Sequence, residues 1–390
     1  MTTGRTEIPF GDLRRESADL HDEILAAVER VLHRGWFILG EEVAAFETEY
    51  AAYCDADHAV GVGNGTEALQ LILEAAGLGP GDEVITSPLT AAFTALAIVR
   101  AGATCVFADV EPDSLTLDPA AARAAITPRT AALLPVHLYG QPADMEALAD
   151  LARQHGLLLV EDACQAHGAR FQGRRTGSRP PAIGAAPAGH AVAFSFYPSK
   201  NLGAYGDGGM VVTSDADLAG RIRILRHGGQ TRRYQHDLLG TNSRLDELQA
   251  SILRAKLPRL DAWNRRRRQI AATYSAGLAG TSLILPVELP GREHVWHLYV
   301  VRSGQRDALR EALSMRGVGT EIHYPIPAHL QAALAHPGCP PGTFPVAERA
   351  AAQVLSLPIY PYLSDAEVAE VVRQVREAVA ALGSGPLPLP

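Results

Sequence analysis

Between residues 58 and 213, short apolar runs rich in β-branched residues alternate with stretches of helical periodicity. Seven runs are predicted to be strands, at 58–62, 83–86, 104–108, 132–136, 157–160, 191–196 and 210–213. Helical patterns separate the earlier ones, at 66–76, 90–101 and 144–155. Because strands that alternate with helices form βαβ units, the chain predicts an α/β fold whose large domain has a mostly parallel seven-stranded sheet flanked by helices.

The pattern changes near residue 243. A long helical pattern follows from 244 to 278, with a bend predicted at Pro258. The strand-like stretch "VWHLYVVR" and two more helical patterns, at 306–316 and 364–382, complete the chain. We therefore predict a large domain over residues 1–250. Residues 251–390 are predicted to form a long linking helix and a smaller C-terminal α/β domain, with a disordered tail from 383 to 390.

The charge balance narrows the choice of partners. The 390 residues carry a formal net charge of −8, and 47% of them are hydrophobic, which suits a large core and not a polyanion-binding surface. The basic run "NRRRRQ" at 264–269 indicates a solvated helix face or a subunit contact. No apolar run reaches membrane length, and the four cysteines lack metal-binding spacing. A cytoplasmic protein with no nucleic-acid or membrane partner is therefore expected.

Ligands bind at the carboxyl ends of the strands in a parallel α/β sheet, so the residues that follow each strand are site candidates. The first strand leads into "GVGNGTEAL" at 61–69, where glycines free the backbone and Thr66 starts a helix. Exposed N–H groups at a helix N-terminus bind phosphate. A plain helix cap with a tight turn explains the same residues, and this stretch alone does not decide between the two.

The fifth strand ends in "EDACQAHG" at 161–168. The side chains of its two adjacent carboxylates should point to opposite faces of the sheet, and one of them could hold a cationic nitrogen. A metal site built from Asp162 and His167 is the alternative. It is weaker because no third ligand has a recognisable spacing, so no metal is predicted.

The sixth strand leads to Lys200 in "FSFYPSKNLGAYGDGG" at 194–209, between aromatic residues and a glycine-rich turn. Partly desolvated surroundings lower the pKa of a lysine, and a neutral amine can attack a carbonyl. Ser195 offers a hydroxyl for a phosphate. A surface lysine in a loop is the alternative that composition alone favours.

A phosphate cradle, an acid, a hydroxyl and a lysine at neighbouring strand ends form the set that pyridoxal 5′-phosphate (PLP) requires. The lysine would bind the cofactor covalently and later shuttle a proton. The acid would keep the pyridine nitrogen protonated, and the helix N-terminus and the hydroxyl would hold the phosphate.

Other stretches accompany these motifs: "GWFILGEEVAAFETEYA", "PVHLYGQPADM", "GTNSRLDELQA", "VWHLYVVR" and "IHYPIPAHLQ". With "GNGTEAL", "EDACQAHGA" and "FSFYPSKNLGA", they resemble the DegT family of fold type I PLP-dependent sugar aminotransferases over nearly the whole chain. The "FSFYPSKNLGA" and "GTNSRLDELQA" stretches are the specific ones. The resemblance implies the fold type I architecture, PLP as the cofactor, and a homodimer with shared active sites.

The resemblance also assigns roles. Lys200 would be the catalytic lysine that binds PLP, Asp162 would hold the pyridine nitrogen, and Gln165 would hydrogen-bond the ring oxygen. The residues expected to hold the phosphate are Gly65, Thr66 and Ser195, with Asn242 from the neighbouring subunit. The candidate substrate-binding residues are Phe93, Arg244, His323 and Tyr324.

Two of these assignments have alternatives. The family commonly places an aromatic residue directly after Thr90, whereas Ala91 and Ala92 follow it here. Either Phe93 or another residue would therefore stack on the cofactor ring. The "IHYPIP" stretch that contains His323 and Tyr324 is equally consistent with a packed turn of the small domain. The loop at 178–189 is either a lid over the site or a tolerated surface insertion.

The implied activity is the transfer of an amino group from glutamate to a keto sugar of a nucleoside diphosphate, in amino-sugar and antibiotic biosynthesis. The wording of "HLYGQPADM" and "SRLDELQ" favours a 3-keto-6-deoxyhexose. A 4-keto sugar or an aminocyclitol precursor stays open, since family membership does not fix the acceptor. A PLP-dependent sugar dehydratase would carry histidine in place of Lys200, and a non-catalytic regulator would have little reason to keep Lys200, Asp162 and Gln165 together.

Overall fold

The computed structural model describes residues 7–179, 189–334 and 338–383. Its central sheet contains seven strands: β1 His58–Val62, β2 Glu83–Thr86, β3 Thr104–Phe107, β4 Thr130–Leu134, β5 Leu158–Asp162, β6 Gly189–Ser195 and β7 Gly209–Thr213. Their order across the sheet is β1-β7-β6-β5-β4-β2-β3. Strand β7 is antiparallel to both of its neighbours, and the other neighbouring pairs are parallel. The predicted α/β class and the mostly parallel seven-stranded sheet are confirmed.

Helices cover this sheet and continue to the end of the described chain. They are α1 Leu13–Asp19, α2 His21–Arg34, α3 Glu41–Tyr53, α4 Gly65–Ala75, α5 Ala92–Arg100, α6 Pro119–Ala124, α7 Met145–His155, α8 Ala216–Leu225, α9 Glu247–Lys256, α10 Leu260–Leu278, α11 Arg306–Met315, α12 Pro345–Gln353 and α13 Asp365–Leu382. A 3₁₀ turn at Leu257–Arg259 separates α9 from α10, so the bend predicted at Pro258 is confirmed. The reason is that proline lacks the N–H group that a continuous helix needs.

The last third of the described chain has its own small sheet. Strands β8 Tyr299–Arg302 and β9 Val354–Leu357 pair antiparallel, and an apolar cluster forms between them and helices α10, α11 and α13. The stretch "VWHLYVVR" is a strand only from Tyr299 onward. A domain boundary after residue 250 stays a prediction. Residues 180–188 of the predicted lid or insertion, and 384–390 of the predicted tail, lie outside the described residues.

The first loop reaches the carboxyl ends of the middle strands because Gly209 has no side chain. A Cβ atom on Gly209 would lie 2.4 Å from the backbone C and O atoms of Asn64, which is too close for any other residue. The loop after β1 therefore lies directly against β7. This contact brings the N-terminus of α4 next to the ends of β5 and β6.

Candidate active site

A cavity of about 530 Å³ lies at the carboxyl ends of β5 and β6, beside the N-terminus of α4. Nine residues singled out from the sequence line it: Gly65, Thr66, Phe93, Asp162, Gln165, Ser195, Lys200, His323 and Tyr324. These residues come from segments that are far apart in the sequence. The fold thus brings them together at the sheet edge where the strand-end argument places a ligand.

The two adjacent carboxylates at the end of β5 do point to opposite faces. Asp162 borders the cavity, where its Oδ2 accepts a hydrogen bond of 2.7 Å from the Thr94 hydroxyl and its Oδ1 accepts one of 3.1 Å from the Cys164 N–H. The side chain of Glu161 points to the opposite face of the sheet, where its carboxylate oxygens lie 2.7 Å from His137 Nε2 and 2.5 Å from His190 Nε2. Asp162 is therefore held in one orientation at the cavity wall.

The environment of Glu161 keeps it ionised. Burial alone would raise the pKa of this carboxyl group, but the hydrogen bonds from His137 and His190 outweigh burial and hold its pKa at about 2. A negative charge behind the sheet is therefore paired with two imidazoles, while Asp162 provides the acceptor that faces the cavity.

The metal alternative gains no support from the described residues. His167 is fully buried, with its ring 5.3 Å from that of Phe194 and 5.7 Å from that of Phe196, and burial lowers its pKa to about 3. Within residues 7–179, 189–334 and 338–383, no three His, Cys, Asp or Glu side chains gather in a way that could hold a metal ion.

The N-terminus of α4 faces the cavity at close range to β6. Asn64 caps the helix, because its Oδ1 accepts a 2.9 Å hydrogen bond from the Glu67 N–H. The first N–H groups of a helix have no acceptor within it, so those of Gly65 and Thr66 can bind an anion beside the Ser195 hydroxyl. A Cβ atom on Gly65 would lie 2.7 Å from Cys164 Sγ and 2.8 Å from Ser195 Cβ. Only glycine therefore lets the helix approach Ser195 this closely.

Lys200 projects from the loop that follows β6. Burial lowers the pKa of its amine, and the nearby Asp162 carboxylate opposes part of that effect. The loop is fixed by two contacts: the Lys200 N–H donates to the Tyr197 carbonyl over 2.9 Å, and the buried Lys256 Nζ donates to the Gly203 carbonyl over 2.7 Å. Because burial lowers its pKa, a larger fraction of the Lys200 amine is neutral than in an exposed lysine.

Gln165 is clamped between two other segments. Its Oε1 accepts a 2.6 Å hydrogen bond from the Tyr139 N–H, and its Nε2 donates to the Tyr324 hydroxyl over 3.0 Å. Because the backbone N–H group of Tyr139 can only donate, the amide nitrogen of Gln165 must be on the other side. An N–H donor at this wall suits an oxygen acceptor in the cavity.

The candidate substrate-binding residues lie at different places. Phe93 is in the first turn of α5 and is 63% exposed where it borders the cavity. His323 and Tyr324 line the cavity and are also packed, since His323 Nδ1 lies 2.9 Å from Ser356 Oγ. The prediction of a packed turn therefore agrees with the structure, and the contact of His323 and Tyr324 with the substrate stays a prediction.

Asn242 and Arg244 do not line the cavity of their own chain. Asn242 forms an isolated antiparallel bridge with His227, and Arg244 Nη1 lies 3.0 Å from His227 Nδ1. Next to them, the short strands Gln230–Arg232 and Gln235–His236 form a hairpin. This segment is separate from the cavity in a single chain.

Thr94 and His297 are among the cavity residues that the sequence interpretation missed. Thr94 lies one helical turn after Thr90, and their hydroxyl oxygens are 3.0 Å apart, so helical spacing could have indicated it. His297 lies in the stretch "VWHLYVVR", which the sequence predicts as a strand. No local pattern marks it as a site residue.

Among the helices of the described residues, none combines the length and the apolar character that crossing a bilayer demands.

Comparisons with known proteins agree with this geometry. The model of the DegT/DnrJ/EryC1/StrS aminotransferase family matches residues 18–376. Over 372 residues, the chain is 53% identical to dTDP-3-amino-3,4,6-trideoxy-alpha-D-glucose transaminase of Streptomyces venezuelae, which covers 95% of this chain and 96% of that protein. The crystal structure of S. venezuelae DesV in complex with a ketimine intermediate is similar with a TM-score of 0.91 and 52% identity, covering 95% of this chain and 98% of that one. Bacillus subtilis NtdA with bound cofactor PMP has a TM-score of 0.86 and 28% identity, covering 97% and 86%.

Proposed function

Because the chain belongs to the DegT/DnrJ/EryC1/StrS aminotransferase family, whose members depend on PLP, we propose that it transfers an amino group to a keto sugar carried by a nucleoside diphosphate. One observation carries this proposal. The amine of Lys200, the carboxylate of Asp162 and the N-terminus of α4 beside Ser195 border a single cavity.

The residues around the cavity fit PLP. Helix α4 packs so closely on Ser195 that a Cβ atom on Gly65 would clash, so the first N–H groups of the helix lie beside the Ser195 hydroxyl, where they can bind a phosphate. The Asp162 carboxylate is an acceptor for a protonated ring nitrogen, and the Gln165 N–H is a donor for a ring oxygen. When bound, PLP supplies an electron sink for the bond changes at the carbon that gains or loses the amino group.

The protein's own groups have separate tasks in this proposal. Thr94 and the Cys164 N–H fix the Asp162 carboxylate so that its charge holds the ring nitrogen. Lys200 takes up and returns a proton, and burial keeps part of its amine neutral for that purpose. Gly65, Thr66 and Ser195 bind the phosphate and so fix the depth of the cofactor in the cavity.

For the substrates, we infer glutamate as the amino donor and a 3-keto-6-deoxyhexose as the acceptor. Support for the acceptor comes from the S. venezuelae relative, whose name describes transamination at carbon 3 of a dTDP-linked sugar. Phe93, His323 and Tyr324 border the same cavity and would contact the sugar nucleotide. A cytoplasmic location stays a prediction.

The chain contains two lysines, Lys200 and Lys256, so peptide mapping can tell which of them binds the cofactor. Lys256 is 1% exposed, and its Nζ lies 2.5 Å from Glu16 Oε1. We expect purified protein with PLP to show a visible band that glutamate abolishes. Borohydride reduction followed by peptide mapping should place the cofactor on the peptide that contains Lys200. A Lys200→Ala variant that keeps the band and turns over substrate would contradict the proposal.

We also propose a homodimer in which Asn242 reaches the phosphate site of the partner subunit, with Arg244 near the partner's substrate. The hairpin beside these residues is followed by Leu238 and Leu239, which are 45% and 99% exposed, and exposed apolar side chains favour a protein contact. Asn242→Ala should stay dimeric by light scattering and bind PLP more weakly. A monomer with full PLP affinity would contradict this arrangement.

A further inference from the structure

The loop that carries Lys200 folds back tightly on itself. The Ala204 N–H donates to the Phe196 carbonyl over 2.8 Å, which closes the loop at its base. A Cβ atom on Gly203 would lie 2.3 Å from the Pro198 carbonyl oxygen, so Gly203 lies directly against the residue two positions before Lys200. A residue that holds Gly203 in place therefore also holds the backbone next to Lys200.

Lys256, the last residue of α9, binds this part of the loop. Its Nζ donates to the Gly203 carbonyl over 2.7 Å and lies 4.1 Å from the centre of the Tyr205 ring. Lys256 is 1% exposed, and burial lowers the pKa of its amine. A buried ammonium group needs a counter-ion, and Glu16 Oε1 lies 2.5 Å from Nζ, where it opposes part of the effect of burial.

Glu16 belongs to the short helix α1, which contacts the same loop a second time. Ser17 Oγ lies 2.8 Å from the hydroxyl oxygen of Tyr205. None of the seven residues of α1 is buried, and its Leu13 is 43% exposed. The position of α1 therefore depends on polar contacts and not on an apolar face packed into the core.

Polar contacts also bind α1 to the last helix, α13. Arg15 donates two hydrogen bonds of 2.6 and 2.8 Å to the Glu367 carboxylate and one of 2.9 Å to the Tyr362 carbonyl. The Tyr362 hydroxyl in turn donates to Asp19 Oδ2 over 2.9 Å. Glu367 also accepts hydrogen bonds from the N–H and the hydroxyl of Ser364, so Arg15 binds a carboxylate that is already fixed at the start of α13.

We propose that α1 is a positioning element that ties the loop of Lys200 to helix α13, with the Glu16–Lys256 ion pair as its main contact with the loop. Arg15 and Glu16 are adjacent and differ by about 100° in direction around the helix, so one short helix can contact both partners. The importance of this tie for catalysis rests on the proposed function of Lys200. The physical connection itself does not depend on that function.

Hydrogen exchange in the cofactor-free protein measures the connection directly. The exchange rate is followed by mass spectrometry on a peptide covering 196–206, where the amides of Lys200 and Ala204 are hydrogen-bonded within the loop. A peptide covering 145–155, from helix α7, reports unfolding of the whole protein. The ratio of the two rates therefore isolates opening of the loop.

Glu16→Gln keeps the shape of the side chain and removes its charge. The buried ammonium group of Lys256 then lacks a counter-ion, and the loop must open to let water reach it, so its exchange should be about tenfold faster or more. In protein that already carries Lys256→Met, Glu16→Gln should have no further effect, because no charge is left to compensate. This non-additivity separates a role through Lys256 from a general loss of stability.

Arg15→Met tests the tie to α13. Arg15 binds Tyr362 and Glu367 and has no hydrogen bond to the loop among the described residues, yet exchange in 196–206 should rise about threefold, as suits a partly exposed ion pair. Arg373→Met is the matched control. Arg373 also donates hydrogen bonds of 2.6–2.9 Å to carboxylates, but its partners, Glu370 and Glu377, lie in α13 itself, so exchange in the loop should not change.

A second readout links the loop to the cofactor. The visible band that forms when PLP is added should develop more slowly in Glu16→Gln and, to a smaller extent, in Arg15→Met. Arg373→Met should form the band at the wild-type rate. If Glu16→Gln does not fold, the exchange rates of Arg15→Met and Arg373→Met decide the question.

Three results would overturn the proposal. The first is wild-type loop exchange in a folded Arg15→Met variant, and the second is an equal rise in Arg373→Met. The third is an undiminished effect of Glu16→Gln in the presence of Lys256→Met. A wild-type protein that forms no band with PLP would instead remove the proposed function, and the exchange rates would still show whether α1 holds the loop.

Discussion

Replacing Gly65 with alanine should separate the two halves of the proposed phosphate site. The new Cβ atom would lie 2.7 Å from Cys164 Sγ and 2.8 Å from Ser195 Cβ, whereas ordinary contact starts at 3.4 Å. The N-terminus of α4 and β6 must therefore move apart by about 0.6–0.7 Å. Ser195 belongs to a strand that is paired on both sides, so most of the movement falls on the helix and on the N–H groups that would bind the phosphate.

The size of the effect follows from the cost of overpacking. Forcing an extra methyl group into a packed site costs about 1–3 kcal/mol. If PLP binding must restore the original spacing, its affinity should fall by about 5-fold to 140-fold, at about 1.4 kcal/mol for each factor of ten. Pyridoxal lacks the phosphate and should lose much less affinity. The assay compares the Kd values of both compounds for the wild-type protein and the variant.

Gly220→Ala is the matched control, because a Cβ atom there would meet no heavy atom within 4 Å. Gly220 lies inside helix α8, where alanine should add about 0.5–1 kcal/mol to the free energy of unfolding and leave both Kd values unchanged. If Gly65→Ala remains folded and binds PLP and pyridoxal in the wild-type ratio, the phosphate is not held at the N-terminus of α4, and the reasoning is refuted.

Two further predictions concern Asp162 and Glu161, the adjacent carboxylates at the end of β5. Asp162→Asn keeps the shape but not the charge, so stopped-flow measurements with glutamate should show the amino-donor reaction slowed by about 100-fold or more, and a wild-type rate would mean that the charge is structural only. The pKa of Glu161 is depressed to about 2, so its ionised form stabilises the fold above the usual carboxyl pKa of 4.5, and this stabilisation is lost as the pH falls from 4.5 toward 2. In urea unfolding, the free energy of unfolding of the wild type should fall over this pH range by about 3 kcal/mol more than that of Glu161→Gln. Parallel pH profiles of the two proteins would contradict the pairing of Glu161 with His137 and His190.

The sheet and the cavity could be predicted because both depend on local sequence. Each strand is a short apolar run between turns, and a parallel sheet puts every strand end at the same edge. Lys200, Asp162 and Ser195 follow from this rule. The central sheet confirms the predicted class, while the roles of these residues stay a proposal.

The basic run "NRRRRQ" shows where local sequence is only partly right, since Arg265 and Arg268 are exposed as a solvated helix face predicts. It indicated a solvated helix face or a subunit contact, yet Arg267 is 5% exposed and donates to backbone carbonyls, including those of His297 and Ile359. Residue 267 shares a helix face with the buried Trp263 and Tyr274, which places it toward the core. A run of like charges suggests a solvated surface, but the backbone carbonyls of Trp296, His297 and Ile359 accept hydrogen bonds from this one buried guanidinium.

The difference between local sequence and contacts made only in the folded chain also explains why Lys200 could be identified from the sequence and His297 could not. Lysine is the residue type that the chemistry requires, and it occurs at a strand end. Which ring nitrogen of His297 carries the hydrogen depends on Asn201 and Asn264, which lie far from it in the chain. Their amide orientations are fixed by two backbone carbonyls that only the folded chain brings near them. No sequence pattern encodes the direction of an amide, so the tautomer of this histidine can be inferred only from the structure.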